Sequence, residues 1–206
     1  MLSVGFCFSP WGKALEHFSG DTLYYLRGPL ETPRDFVVVA IDEASFGVIQ
    51  QQWPWPRGLH AGLIERLFAA GAKVVVFDVI FAEPSTEDQD RLLRETLARH
   101  PDVVLAGDLN TVFEKNYTQV IFVGPHPDVA PQGTPVGFTN LPLDSDGFVR
   151  RIRMNQGGLR AISLLSAQLF CRNPPCRDLE KVLGYLPNTD LEINYLGPAR
   201  TVRTVS

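Results

Sequence analysis

The sequence predicts an α/β fold with three layers: a largely parallel central sheet flanked by helices, and strands of mixed direction in the C-terminal half. Three observations predict it. Two short β-branched runs, residues 36–41 and 73–81, are apolar on both faces, as strands buried in a parallel sheet are. Two helical stripes, residues 56–70 and 86–101, alternate with them. The resulting order of strand, helix, strand, helix, strand is that of βαβ units with right-handed crossovers.

Each element has its own signal. Residues 11–26 carry Leu15, Phe18, Leu23 and Leu26 among polar residues, which predicts short helical segments lying on the domain. Gly28-Pro29 and Pro33 then break any helix. Residues 1–35 are therefore read as a helical lead-in and residues 36–206 as the α/β domain. Pro56 suits a first helical turn. Leu59, Leu63, Ile64, Leu67 and Phe68 form one stripe behind it, and Gly71 ends it. Thr86-Glu-Asp-Gln89 has capping-box spacing and opens a helix through Leu92, Leu93 and Leu97, stopped at Pro101. Further strands are expected at residues 102–105, 120–123, 148–154 and 191–196, a loop at 125–135 and a helix at 162–171.

Composition narrows the function. The 206 residues are 45% hydrophobic and 20% charged, a packed globular balance, and the net charge is −4. Nucleic-acid binders need clustered Lys and Arg. The one basic cluster, Arg150, Arg151 and Arg153, is split between two faces if it lies on a strand. No run approaches the roughly 20 apolar residues that span a bilayer. The apolar start, residues 1–8, reads as the stump of a membrane helix or as a frayed end docked on the core. Cys171 and Cys176 enclose only Arg-Asn-Pro-Pro, which predicts a short-loop disulfide and an oxidising compartment; Cys7 is left over.

Few residues invite chemistry. Asp42 and Asp78 end successive strands, at the edge where open α/β sheets bind ligands. Adjacent strands lie about 4.8 Å apart, so the two carboxylates would be neighbours and would need one of them protonated, a cation between them or an Arg beside them. Arg57 is the natural candidate. The plainer alternative has Asp42 capping the segment after it and Asp78 pairing with Arg57. Trp53-Pro-Trp-Pro56 is a stiff aromatic segment. Trp55 either floors a pocket over the acidic pair or plugs the core. Asp146-Gly147 marks a turn, with Arg150 reaching back to an acidic partner; the calcium-loop ligands that would follow it are missing. The four histidines lack ligand spacing, and His60 reads as a packing or surface residue. There is no phosphate loop and no nucleophile elbow, so no catalytic residue, metal or cofactor is assigned.

Read together, Val38-Val-Ala-Ile-Asp-Glu-Ala-Ser45, Trp53-Pro-Trp-Pro-Arg57 with His60, Ala70-Gly-Ala72 and Val75-Val-Phe-Asp-Val-Ile-Phe-Ala-Glu-Pro84 resemble the type-two CHASE domain. Gly137-Phe-Thr-Asn-Leu-Pro142, Asp146-Gly-Phe-Val-Arg-Arg151 and Glu192-Ile-Asn-Tyr-Leu-Gly197 extend the resemblance over most of the chain. It implies a sensory module on the periplasmic face of the bacterial inner membrane. In such a receptor the lead-in follows one membrane helix, and further helices lead to a cytoplasmic cyclase or kinase. The family pattern would also continue past Ser206 into another apolar strand. The expected ligand set is Asp42, Ser45, Trp55, Arg57, Asp78 and Phe81, facing an unidentified small molecule or ion. Competing expectations are a homodimerising interaction module and a carboxylate-based, metal-assisted hydrolase.

Overall fold

The computed structural model describes residues 9–113, 117–172, 175–176 and 190–206; the apolar start and Cys7 lie outside them. The chain divides into two compact units, residues 1–52 with 194–206, and residues 53–193.

In the first unit, helix α1 (Pro10–Arg27) begins at Ser9, whose hydroxyl accepts the Gly12 N–H at 3.1 Å. Gly28, at φ +71°, ends it in a backbone conformation that side chains disfavour. The Glu192–Gly197 motif now has a physical meaning. Arg27 donates to the Asn194 side chain at 2.5 Å and to the Tyr195 carbonyl, while Leu30 N–H reaches the Leu196 carbonyl at 2.7 Å. Strand β1 (Val38–Val39) pairs in parallel with β10 (Thr204–Val205), and helix α2 (Glu43–Ile49) follows β1.

The second unit carries the main sheet. Helix α3 (Arg57–Ala69) leads to β2 (Val75–Phe77), and helix α4 (Glu87–Arg99) leads to β3 (Val103–Phe113). Strands β2 and β3 are parallel, Val75 opposite Val103, as a βαβ crossover requires. Strand β3 has two further partners. Leu105–Gly107 pair in parallel with β5 (Val136–Phe138), and Asp108–Phe113 pair antiparallel with β4 (Thr118–Val123). The core gathers Ala61 and Ile64 from α3, Leu93 and Leu97 from α4, Val75, Phe77, Val103 and Leu105 from the sheet, and Phe81 and Val129 from loops.

A smaller cluster joins Leu109, Phe138, Ala161 and Leu164, the last on helix α5 (Ile162–Phe170). Gly137 permits this packing: a Cβ there would lie 2.5 Å from Ile162 Cα and 2.6 Å from its nitrogen. Strand β6 (Arg151–Arg153) pairs antiparallel with β9 (Asp190–Glu192). Strands β7 (Asn155–Gln156) and β8 (Leu159–Arg160) form a hairpin whose turn glycines, Gly157 and Gly158, both have positive φ. Cys171 and Cys176 are joined by a disulfide, with Cα atoms 5.0 Å apart.

The α/β class holds, but the three-layer sheet does not form among the described residues. Two local events prevent it. Strand β1 pairs with β10 rather than extending the β2–β3–β5 sheet, and β3 changes from parallel to antiparallel partners at Asp108. The parallel part is three strands wide.

Candidate functional site

The expected pairing of strands behind an Asp42–Asp78 couple is not made: β1 bonds β10, and β2 bonds β3. Asp42 is instead the N-cap of α2. Its Oδ1 accepts the Ser45 N–H at 3.1 Å, the Ser45 hydroxyl at 3.2 Å and the Ser206 hydroxyl at 2.7 Å. The Ser206 bond, then the Ser45 amide, holds its carboxyl below the usual Asp range. Ser45 completes a capping box and donates to the Ala40 carbonyl. Both residues are thus committed to the first unit's own architecture. Asp78, just beyond β2, is exposed and makes no hydrogen bond or ion pair among the described residues.

Trp55, Arg57 and Phe81 do converge, all in the second unit. The organising element is α3. The apolar stripe read from the sequence makes only part of the buried face: Ile64 is in the core and Leu63, Leu67 and Phe68 pack against it, while Leu59 is exposed. Buried are Arg57, His60, Ala61 and Ile64, spaced i, i+3, i+4, i+7. The helix therefore carries a cation and an imidazole into the interior. The Arg57 guanidinium stacks over the Phe81 ring, 4.5 Å from its centre. Its Nη2 donates to the Glu83 carbonyl at 3.1 Å.

The charge partner of Arg57 is Asp90, not Asp78. Asp90 sits on the first turn of α4, 3% exposed, with Oδ1 3.7 Å from Arg57 Nε. That distance exceeds a hydrogen bond. Both Nε and Oδ1 are buried without a hydrogen-bond partner among the described residues. The other Asp90 oxygen accepts the Ser85 N–H at 2.7 Å. Burial lowers the Arg57 pKa from its ordinary value, and Asp90 opposes the shift.

His60 is 3% exposed and sits edge-on to Trp53, Phe77 and Phe81, at 6.0, 6.0 and 5.3 Å. Burial, reinforced by the Arg57 charge, pushes its pKa down to about 4, so the ring is neutral at pH 7. The Thr86–Gln89 box is also redirected. Thr86 makes no side-chain cap, and Gln89 Oε1 instead accepts the Gly58 N–H at 2.8 Å, tying the first turns of α3 and α4 together. Over this junction lies a cleft of about 330 Å³, walled by Trp55, Arg57, Glu83, Ser85, Thr86 and Gln89 with three prolines. Asp90 and Gln89 were missed by sequence reasoning. The signal available was the acidic first turn of α4 opposite a helix that begins with Arg.

The basic cluster at residues 150–153 is neutralised locally. Arg150 bonds Asp144 and Asp146, each at 3.0 Å, and holds the Asp146 carboxyl down to about 2. Arg151 bonds Asp144 at 2.5 Å, and Arg153 grips both oxygens of Asp190 across β6 and β9.

Compared with known families, residues 1–206 match the CHASE2 domain along their whole length. The chain belongs to the CHASE2 family. CHASE2 domains are sensory domains of signalling proteins, typically extracytoplasmic and generally non-catalytic. Neither the curated proteins nor the solved structures contain a match to this CHASE2 chain. Among the described residues, none of its helices is long and apolar enough to cross a membrane.

Proposed function

We propose that this CHASE2 domain receives a small-molecule signal at the Trp55–Arg57 cleft, on the periplasmic side of a bacterial transmembrane receptor. Membrane helices of the parent protein would relay occupancy to a cyclase or kinase. The observation that carries the reading is Arg57: a cation over nine-tenths buried, bordering a concave surface, with most of its donors unused. Buried guanidinium groups are expected to have their donors satisfied, and a ligand would complete this one. Signalling then requires that the ligand bind one receptor state more tightly than another, typically by about 1–3 kcal/mol.

The test is a thermal-denaturation screen of the purified chain against small molecules and ions, repeated on Trp55→Leu. A ligand whose stabilisation disappears in the variant supports the cleft. Stabilising ligands that act equally on both proteins place sensing elsewhere.

A second reading, a dimerisation module, has its own support. Trp11, Phe18 and Tyr25 recur every seven residues along α1 and are exposed, as is Leu15. A seven-residue apolar period suits a seam between two copies of the same helix. Light scattering decides it: a dimer that Phe18→Glu dissociates supports the seam, and a monomer at high concentration removes it.

A further inference from the structure

We infer that the cleft takes a free amino acid in its zwitterionic form, its carboxylate on Arg57 and its ammonium on Glu83. This rests on the sensory reading of the cleft and names the ligand class for it.

The argument begins with unused groups. A guanidinium has five N–H donors. Arg57 spends one on the Glu83 carbonyl, and its Nε stays unbonded 3.7 Å from Asp90. Nη1 makes no hydrogen bond among the described residues. The adjoining first turn of α4 is open as well, because Thr86 supplies no side-chain cap. Its leading N–H groups favour an anion, and Ser85 and Thr86 bring hydroxyls to the same wall. A carboxylate could meet the planar guanidinium side by side.

Charge then selects among anions. Glu83 lines the cleft, exposed, with no ion pair among the described residues. Asp90 stands 3.7 Å from Arg57 on the inner side. These two carboxylates outnumber the one Arg and repel a dianion such as phosphate. A ligand carrying its own positive charge beside its carboxylate turns that repulsion into attraction. Trp55 and the prolines at 54, 56 and 84 supply an apolar wall for a carbon skeleton. The cleft's volume lies at the small end of ligand sites, about 300–1,000 Å³.

The experiment measures binding to the whole chain by thermal shift and calorimetry. Its probes are L-alanine, L-proline, L-leucine, propionate, isobutylamine and inorganic phosphate. At least one amino acid is expected to raise the melting temperature, and propionate, isobutylamine and phosphate to act far less. Glu83 is exposed, so Glu83→Gln leaves the fold intact; it is expected to weaken amino-acid binding about tenfold, the loss of one charge-assisted contact. Arg57→Lys, if folded, is expected to bind none of the probes. Stronger binding of propionate or phosphate, or amino-acid binding indifferent to Glu83→Gln, overturns the ligand class while leaving the cleft as a site. No response to any probe overturns the class too. If in addition the wider screen yields no Trp55-dependent ligand, the sensory reading falls with it.

Discussion

The most exposed physical commitment of the structure is the neutral imidazole of His60. Its pKa is about 4 in the folded chain, against an ordinary 6.5. The cause is burial among Trp53, Phe77 and Phe81, helped by the neighbouring Arg57 charge. The depressed value fixes the sign. As pH falls below 6.5 the unfolded chain takes up a proton that the folded chain refuses, so stability drops. The loss runs from about pH 6.5 to pH 4 and is complete below that. One pH unit inside the window is worth about 1.4 kcal/mol, so the whole effect is at most roughly 3 kcal/mol and the part between pH 6.5 and 5.0 about 2 kcal/mol. Carboxylates held below their ordinary values, such as Asp42 and Asp146, lose their contributions at lower pH, below about 4. The assay is urea unfolding of wild type and His60→Gln at pH 7.5 and 5.0. Subtracting the variant's pH dependence from that of wild type removes the other three histidines. Wild type is expected to lose about 2 kcal/mol more than the variant. Equal losses, or an NMR titration placing His60 near 6.5, would refute the reasoning.

Three further outcomes are expected. Asp90→Asn leaves the buried Arg57 without its counter-charge and costs about 3 kcal/mol in chemical denaturation; a near-neutral result would mean that the pair contributes nothing. Gly137→Ala drives a methyl into the Ile162 backbone at 2.5 Å and costs about 2 kcal/mol, whereas wild-type stability would show that α5 lies farther from β5. Cys171→Ser opens a six-residue loop and costs about 2 kcal/mol by loop entropy. The wild-type thiols at 171 and 176 resist alkylation until reduced, and prompt labelling of both would show the bond unformed.

Local signals carried much of the fold. Helices α1, α3 and α4 lie within a residue or two of their expected spans, because periodicity, Pro56, Gly71 and Pro101 mark them without help from distant residues. The two apolar runs at 36–41 and 73–81 look alike in sequence yet meet different fates. One finds β10, more than 160 positions away, and the other finds β3; no local pattern encodes that choice. The small strand β5 lies just past the stretch read as loop, where no element was expected, and Gly137 there is explained only by its contact with Ile162.

The site was legible in part for the same reason. Trp55, Arg57 and Phe81 converge because Pro56 starts α3 and its first turn faces inward. The Asp42 cap was readable from the Glu-Ala-Ser that follows it. The partner of Arg57 was not, since Asp42 and Asp78 offered closer-looking carboxylates and Asp90 lay within a helix judged by its capping-box spacing and apolar stripe. His60 was underestimated because a helix face bearing Arg and His looks solvent-facing until its neighbours are known.

The central claim is that the Trp55–Arg57 cleft is where this CHASE2 domain receives its signal. Side-chain NMR tests it most directly, by following the Arg57 Nε–H and Trp55 indole N–H during titration with the amino acids named above. The account predicts saturable shifts of both resonances, while Ser45 and Thr204 stay in place. Binding that leaves Arg57 and Trp55 unmoved would contradict it.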